Sequence, residues 1–492
     1  MQKSPSIINI KNIGLILGPL VFIIIISLPK FAELSIEGQS ILGATLWIAI
    51  WWVTEAVAIY VTALLPIILF PLTGALSISA TSSSYGHKYI FLFLGGFLLA
   101  VAIEKWNLHK RIALNIINAI GTNANNIILG FMAATAFLSM WISNTATAVM
   151  MLPIGMAVIS QFTDNPDTPQ KEDRIFGKAL MLSIAYSASI GGIATLIGTP
   201  PNLILAGVLK ETYNIDLSFT QWMSFGLPIS IVLLFTCWKY LTNFAFDFRS
   251  EEFPNGRALI KQQLNQIGHI SFEEKRVLAI FILTAFCWIF RSKLQIIIPH
   301  LDDTIIAMIA SISLFLIPSK KSKNRLLDWE DTRKIPWGIL ILFGGGMALA
   351  QGFKVTGLAN WIGSYLTSLQ GITTLLLICI LVAAVNFLTE ITSNIATTAM
   401  LLPILAPLAI TLDIHPYMLM ISATLAASCA FMLPVATPPN AVVFGSGYLK
   451  ISDMIKAGFI MNIISILIIT LFVFLLLPII WDFDLSHFPL DF

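Results

Sequence analysis

The stretch "SNTATAVMMLPI", Ser143 to Ile154, decides the fold, because it returns almost unchanged as "SNIATTAMLLPI", Ser393 to Ile404. The same residue stands at eight of the twelve positions, 250 residues apart. Each copy opens with hydroxyl and amide side chains inside an apolar region. Lipid offers no hydrogen bonds, so irregular polar chain persists at membrane depth only where protein or a watery cavity surrounds it. The repetition indicates a shared role for the two peptides.

The composition indicates a membrane protein. Of 492 residues, 57% are hydrophobic and 11% are charged, whereas a soluble domain carries about 25% charged residues. We therefore predict an all-α polytopic membrane protein with about eleven transmembrane helices, since apolar runs that can cross a bilayer of about 30 Å recur from end to end. The net charge of +2 and basic residues confined to short loops argue against a nucleic-acid partner.

Two more motifs recur in the same order as the opening peptide. "LFLGGFLLA" (Leu92 to Ala100) returns as "LFGGGMALA" (Leu342 to Ala350), and "GTPPN" (Gly198 to Asn202) returns as "ATPPN" (Ala436 to Asn440). The chain is therefore predicted to contain two copies of one unit. The predicted boundaries are an N-terminal segment with the first helix at 1–35, a first repeat at 36–246, a cytoplasmic linker at 247–273, a second repeat at 274–481 and a tail at 482–492.

The distribution of basic residues predicts that the two repeats point in opposite directions. Lys and Arg collect on the cytoplasmic side of short loops. Only Lys354 flanks the second Ser-Asn peptide, whereas the first is flanked by Lys105, Lys110, Arg111, Lys171, Arg174 and Lys178. The repeats are thus predicted to be inverted in a cell (inner) membrane, with the N-terminus in the cytoplasm and the C-terminus outside.

Each repeat is predicted to break its helices twice. The stretches at about 126–160 and 371–410 suit re-entrant helical hairpins with the polar peptide at the tip. Two consecutive prolines remove backbone donors and disfavour helical geometry in the residue before them. Helices at about 176–210 and 416–450 are therefore predicted to be broken near their centres.

Broken helices predict an ion site that needs no buried charged side chain. Their free amide ends carry partial positive charge and their free carbonyl ends partial negative charge. Carbonyl, hydroxyl and amide oxygens suit a hard cation such as sodium, while helix N-termini suit a carboxylate. We therefore expect a binding site without charged side chains, which binds a cation and an anion together.

Together with these motifs, "WWVTEAVAIYVTALLPIILFPLTG" (Trp51 to Gly74) and "EKWNLHKRIAL" (Glu104 to Leu114) give the chain its resemblance. It resembles the divalent-anion:sodium symporter family, the INDY-type di- and tricarboxylate transporters, over almost its whole length. The resemblance implies an elevator-type homodimer in the lipid bilayer, with a scaffold domain and a mobile transport domain that carries the hairpins and broken helices. It further implies symport of Na+ with succinate, malate, fumarate or citrate, and no organic cofactor.

The resemblance also implies the residues of the site. The first sodium would meet Ser139, Ser143, Asn144 and Gly198, and the second would meet Thr389, Ser393, Asn394 and Ala436. The substrate carboxylates would meet Asn144, Thr145, Pro200, Asn394, Thr437 and Pro438. One position departs from the family motif: Ile395 stands where a second Thr is usual, so one donor to the anion is lost.

Other functions remain compatible with the residues alone. A dicarboxylate exchanger or a transporter of sulfate or another divalent anion would use the same architecture, and a passive channel is a further alternative. A membrane enzyme is the remote alternative, because the sequence holds no Ser/His/Asp or Cys/His grouping, no His-based metal motif and no Gly-rich phosphate loop. The preferred anion, the sodium stoichiometry and the choice between symport and exchange stay open at this point.

Overall fold

In the computed structural model the described residues are 10–121, 123–162, 171–246, 256–321, 324–365 and 371–484. Within them the regular structure is helical, apart from isolated bridge residues such as Pro318, which pairs with Arg325. The helices of the leading segment and first repeat are α1 (Ile10–Ser27), α2 (Ile36–Thr54), α3 (Ile59–Thr62), α4 (Leu65–Leu72), α5 (Ile78–Ser83), α6 (Lys88–Lys105), α7 (Leu108–Ile120), α8 (Ala124–Ser139), α9 (Asn144–Phe162), α10 (Lys171–Ile193), α11 (Pro200–Tyr213) and α12 (Phe219–Tyr240).

The described part of the chain after residue 255 is also mostly helical. Its helices are α13 (Gly256–Ile267), α14 (Phe272–Ile289), α15 (Arg291–Leu294), α16 (Asp303–Leu316), α17 (Trp337–Thr356), α18 (Leu358–Tyr365), α19 (Thr374–Thr389), α20 (Asn394–Thr411), α21 (Pro416–Ala427), α22 (Pro438–Phe444), α23 (Ile451–Leu471) and α24 (Leu477–Trp481). Short 3₁₀ turns occupy Ser84–Gly86 and Trp329–Lys334, and π-helical turns occupy Leu241–Ala245 and Phe472–Leu476.

Some predicted boundaries fall partly outside the described residues. Of the N-terminal segment, residues 1–9 lie outside them, and so do 247–255 of the predicted linker and 485–492 of the predicted tail. The second part of the predicted linker contains α13, a helix that packs against α7.

The described chain contains several helices that suit a membrane. Seven are long and apolar enough to cross one, with mean hydropathies from 1.2 to 3.2, and six more apolar helices are shorter. The protein is therefore a multi-pass membrane protein. The count of about eleven spans stays a prediction, because helix length alone does not separate hairpin arms and halves of broken helices from full crossings of about 20 residues: the half-helix α10 and the hairpin arm α20 are themselves among the seven.

Two helical pairs turn back at the Ser-Asn peptides. Helix α8 ends at Ser139 and α9 begins at Asn144, so the turn holds only residues 140–143. Helix α19 likewise ends at Thr389 and α20 begins at Asn394. The first intrahelical bonds of α9 and α20 are accepted by the carbonyls of Ser143 and Ser393, from Thr147 and Thr397 at 3.0 and 2.8 Å. In each hairpin the serine carbonyl therefore accepts the first hydrogen bond of the second helix.

Helices also stop and restart at the Pro-Pro-Asn motifs. Between α10 and α11 the chain is non-helical over residues 194–199, and between α21 and α22 over 428–437. Thr199 and Thr437, each directly before the two prolines, have extended backbones with φ −140° and −139°. This is the conformation that a following proline favours. Proline then fits the first turn of the next helix, where its missing N–H is not needed.

The broken helices form the centre of the molecule. Every residue of α21 is buried, as are nearly all described residues of α10. Outside this centre, glycines allow close helix approach: a Cβ on Gly95 of α6 would lie 2.6 Å from Cβ of Ala307 in α16. The hydroxyl of Ser311 also bonds to the carbonyl of Gly95 at 3.2 Å. The repeated glycine motif is therefore a packing point between helices.

Candidate functional site

The turn of the first hairpin brings two acceptor oxygens to one hydroxyl, so that three oxygen atoms lie together. Ser139 Oγ lies 2.6 Å from Oδ1 of Asn144 and 2.6 Å from the carbonyl oxygen of Ala188 in α10. A hydroxyl has one proton, so it donates to one of these acceptors at a time. Three oxygens that share a single proton leave excess negative partial charge, which suits a hard cation with oxygen ligands.

The second hairpin repeats this arrangement. Thr389 Oγ1 lies 2.7 Å from Oδ1 of Asn394 and 3.2 Å from the carbonyl oxygen of Ala427 in α21. Thr389, like Ser139 in the first repeat, is fully buried. Each repeat therefore has one oxygen cluster, built from the end of one hairpin arm, the start of the other, and a carbonyl of the broken helix.

Glycines bring the first break against the first turn. A Cβ on Gly192, near the end of α10, would lie 2.6 Å from Oδ1 of Asn144. A Cβ on Gly198 would lie 2.5 Å from the carbonyl oxygen of Gly192. Only glycine fits at these two points, so the backbone of the break lies next to the asparagine. The structure thus brings together Ser139, Asn144 and the region of Gly198, which the family resemblance implies as parts of one sodium site.

Asn202, the asparagine of the first Pro-Pro-Asn motif, holds the break together. Its Nδ2 donates to the carbonyls of Gly192, Ile193 and Thr195 at 3.2, 3.4 and 2.8 Å. Its Oδ1 is buried and has no hydrogen-bond partner in the described part of the chain. Reasoning from the sequence missed this role, although the recurrence of the asparagine after both proline pairs was the signal that could have found it.

Asn440 does the same in the second repeat. Its Nδ2 donates to the carbonyls of Ala430 and Leu433 at 3.3 and 3.0 Å, and its Oδ1 is again buried without a partner among the described residues. An amide NH₂ group matches a loop whose carbonyls have lost their helical partners. Each of the two asparagines therefore binds free carbonyls of the break that precedes it.

Glu390 lies in the turn of the second hairpin and binds the second break. Its carboxylate accepts from the backbone N–H groups of Phe431, Met432 and Leu433 at 2.8, 2.9 and 3.0 Å, and from Nδ2 of Asn462 in α23 at 2.8 Å. Four donors compensate the burial of this charge. The contact fixes the hairpin turn to the break.

The first repeat makes the corresponding links with neutral groups. Met140 stands where the second repeat has Glu390, and its carbonyl accepts from Thr195 Oγ1 at 2.5 Å. Trp222 of α12 donates from Nε1 to the carbonyl of Ile193 at 2.9 Å, as Asn462 of α23 supports the second break. The carboxyl group of Glu390 therefore has no counterpart in the first half of the chain.

The hairpins and broken helices of the two predicted repeats contact each other. Helix α9 of the first hairpin packs against α22, and α11 packs against α20 of the second hairpin. Between the two broken helices, the rings of Tyr186 and Phe431 meet with centroids 4.9 Å apart. Each hairpin thus contacts a half-helix of the other repeat.

The other predicted site residues occupy these same turns and breaks. Ser143 accepts from the N–H of Ala146 at 3.3 Å, and Thr437 accepts from the N–H of Asn440 at 3.3 Å. Ser393 is half-buried at the start of α20 and Ala436 is buried in the second break. These contacts shape the helix starts.

The three remaining substrate residues lie at helix starts. Thr145 and Pro438 are exposed and Pro200 is half-buried. None of them makes a side-chain hydrogen bond to a residue of the described chain, and Ile395 is half-buried in the place of a hydroxyl. Contact of these residues with a substrate stays a prediction.

The chain is similar to known transporters over nearly its whole length. The chain is 47% identical to the sodium-dependent dicarboxylate transporter SdcS of Staphylococcus saprophyticus and 48% identical to SdcS of Staphylococcus aureus, each over 96% of this chain and 93% of the relative.

Two solved transporters share the fold. The superposition on MtrF of Neisseria gonorrhoeae, one of a class of antimetabolite efflux pumps, has a TM-score of 0.56 at 12% identity and covers 96% of both chains. The YdaH transporter of Alcanivorax borkumensis superposes with a TM-score of 0.56 at 13% identity, over 85% of this chain and 89% of that one.

Residues 9–481 match the family described as the sodium:sulfate symporter transmembrane region. The match extends over nearly the whole chain and includes both oxygen clusters and both breaks. The resemblance that the sequence motifs indicate is thereby confirmed. The chain belongs to the sodium:sulfate symporter family, that is, to the divalent-anion:sodium symporters.

Proposed function

We propose that the protein is a secondary active transporter that carries a dicarboxylate, such as succinate, malate or fumarate, together with sodium. The pair of oxygen clusters, Ser139–Asn144–Ala188 and Thr389–Asn394–Ala427, is the observation that carries this proposal. Two equivalent clusters, each with more acceptors than protons, suit two sodium ions. The names of the SdcS relatives support the same cargo.

The anion would bind at helix N-termini. Helices α9, α11, α20 and α22 begin at Asn144, Pro200, Asn394 and Pro438, so each begins inside a repeated motif. Free amides at a helix start carry partial positive charge and favour carboxylates. A dicarboxylate has two such groups, and the two repeats offer one set of helix starts each.

Sodium and the dianion would depend on each other. Cations in the two oxygen clusters would add positive charge beside the helix starts, and the dianion would in turn stabilise the cations. This is reciprocal coupling between binding sites.

Movement would follow an elevator mechanism on inverted repeats. The hairpins and broken helices pack on each other and would slide as one transport domain against a scaffold that includes α2, α6, α16 and α17. The amphipathic helices α7 and α18 would connect the two domains. We further propose a homodimer in the cell (inner) membrane, with the N-terminus in the cytoplasm and the C-terminus outside.

Uptake by purified protein in vesicles tests the proposal. An inward sodium gradient should drive accumulation of labelled succinate into empty vesicles, and choline in place of sodium should abolish it. Equal uptake in choline would contradict sodium symport.

A second candidate is a transporter of sulfate, which the description of the family favours. Competition separates the two: excess succinate should block uptake of labelled succinate, whereas excess sulfate should not. A need for internal anion before any uptake would instead indicate an exchanger.

A further inference from the structure

Residues 210–219, which we call the corner segment, run from the last turn of α11 to the first residue of α12. This segment makes an ionic contact with α6 of the proposed scaffold. Lys88, the first residue of α6, forms ion pairs with Asp216 of the corner segment and with Asp302 at 3.3 Å. Asp216 also pairs with Lys210 at 2.9 Å. The four charges therefore form a chain in the order Asp302, Lys88, Asp216, Lys210.

The middle ion pair, Lys88–Asp216, joins the proposed scaffold to the proposed transport domain. Lys88 is the first residue of α6, and Asp302 directly precedes α16. Helices α6 and α16 pack on each other. Lys210 and Asp216 belong to the end of the half-helix α11 and the loop after it. Breaking the Lys88–Asp216 contact leaves two neutral pairs, one on each side, so no charge loses its last partner.

A second contact of the corner segment is built in the same way. Asp303 Oδ2 accepts from the backbone N–H of Phe219, the first residue of α12, at 2.8 Å. The same oxygen lies 2.9 Å from a nitrogen of Arg291. When Phe219 leaves, Asp303 keeps its arginine. Lys354 of α17 adds a hydrogen bond of 2.6 Å to the carbonyl of Glu211.

The side chains of the ionic chain are partly open to water. Lys88, Asp216 and Asp302 are 34%, 48% and 32% exposed. Partial burial raises the pKa of Asp216, but hydrogen bonds from Lys210 and Lys88 outweigh it and the pKa lies below its usual value. The carboxylate is therefore ionised at neutral pH. Ion pairs of this exposure are weak and are screened by salt, which suits a contact that forms and breaks in every cycle.

We propose that the Asp302–Lys88–Asp216–Lys210 chain is a reversible catch, which holds the transport domain against the scaffold in the conformation seen here and releases it without leaving an unpaired charge. The inference rests on the elevator mechanism of the proposed function. The two outer residues, Asp302 and Lys210, should favour the conformation in which the Lys88–Asp216 contact is broken, because they keep Lys88 and Asp216 paired. Asp216 should favour the conformation in which the contact is formed.

This assignment predicts opposite effects for two matched substitutions. Asp216→Asn removes the crossing contact, so the engaged conformation should become less populated. Asp302→Asn removes the partner that Lys88 keeps after release, so the engaged conformation should become more populated. Asn also caps a helix, so the side chain at 302 can still accept the hydrogen bond that the N–H of Thr304 donates at 2.7 Å. Each shift should be about two- to fivefold in the population ratio, the range of an exposed ion pair.

Distances between spin labels measure this ratio. Cysteines at Ser82 of α5 and Ser224 of α12, both exposed, would carry the labels in nanodiscs, in a background whose four native cysteines are replaced. The double variant Asp216→Asn/Asp302→Asn should behave like Asp216→Asn alone, since Asp302 has no effect on engagement once the catch is absent. Raising potassium chloride should reduce the difference between wild type and Asp216→Asn.

If Asp302→Asn folds poorly, Lys210→Met provides a second test. It is expected to raise the population of the engaged conformation, as Asp302→Asn is. Shifts of Asp216→Asn and Asp302→Asn in one direction, or no shift in either, would overturn the catch. Calorimetric titration of sodium with succinate in the same samples separates the two proposals. Loss of binding by wild type would contradict the proposed function, whereas normal binding with unaltered distances in the variants would contradict the catch alone.

Discussion

The hydroxyl of Ser139 lies 2.6 Å from Oδ1 of Asn144 across the turn that joins α8 and α9. Thr389 and Asn394 repeat the contact at 2.7 Å in the other half of the chain. In both halves the hydroxyl also faces a carbonyl of the broken helix. The chain has therefore built one arrangement of oxygens twice, and the account of its function depends on that repetition.

Removal of the Ser139 hydroxyl should weaken sodium binding. Ser139→Ala takes one oxygen from the first cluster, and one contact to a charged group contributes about 1.5 to 3 kcal/mol, so sodium affinity should fall at least about tenfold. Titration of succinate uptake with sodium measures this. Ser187→Ala is the control, because that serine is equally buried but bonds to Ser183 within α10. Equal sodium dependence in the two variants would contradict the role of Ser139.

A methyl group at Gly192 should damage the first site from the backbone side. The added Cβ would lie 2.6 Å from Oδ1 of Asn144, closer than real Cβ contacts, so Gly192→Ala must displace the asparagine or the break. We expect loss of sodium-driven uptake with the protein still folded. Gly86→Ala is the control, since a Cβ there meets open space. Normal uptake by Gly192→Ala would show that Asn144 can move without consequence.

Loss of the Glu390 charge should loosen the second break. Glu390→Gln turns an NH₂ group toward backbone N–H donors, which leaves buried donors without acceptors at a cost of about 1 to 3 kcal/mol. The thermal midpoint should fall and sodium affinity should fall with it. Glu330→Gln is the control, because that carboxylate is 70% exposed and pairs with the exposed Arg333. An unchanged midpoint for Glu390→Gln would contradict the structural role of its four hydrogen bonds.

The side chain at 395 should influence which anion is carried. Ile395 occupies the position that Thr145 has in the first repeat, so an apolar group replaces a donor. Sites that cannot pair a polar group of a ligand disfavour that ligand. Ile395→Thr should therefore improve inhibition by citrate relative to succinate by about tenfold, the value of one good hydrogen bond to a charged group. Thr145→Ile is the matched comparison, and it should weaken the binding of succinate itself. No change in the citrate-to-succinate ratio would exclude Ile395 as a selectivity residue.

The sequence was informative wherever a local signal repeats. The two Pro-Pro-Asn motifs predicted helix breaks because proline acts on its own backbone and on the residue before it, and Thr199 and Thr437 are extended as that effect requires. Class of protein and family followed from composition and from motifs that recur in order.

The sequence was silent wherever a partner is distant along the chain. Trp222 and Asn462 support the two breaks from α12 and α23, and neither stands in a motif. The four backbone and amide donors of Glu390 come from 41 to 72 residues away. Contacts of this kind depend on how helices pack, and periodicity within one helix carries no record of them. Asn202 and Asn440 are intermediate, since their repetition was visible but their carbonyl partners were not.

A density map of the protein with sodium and succinate bound tests the central claim most directly. The account predicts one dianion between the starts of α9 and α20, within hydrogen-bond distance of both Asn144 and Asn394, and a cation in each oxygen cluster. Succinate bound to one repeat alone, or at a place remote from both asparagines, would contradict it.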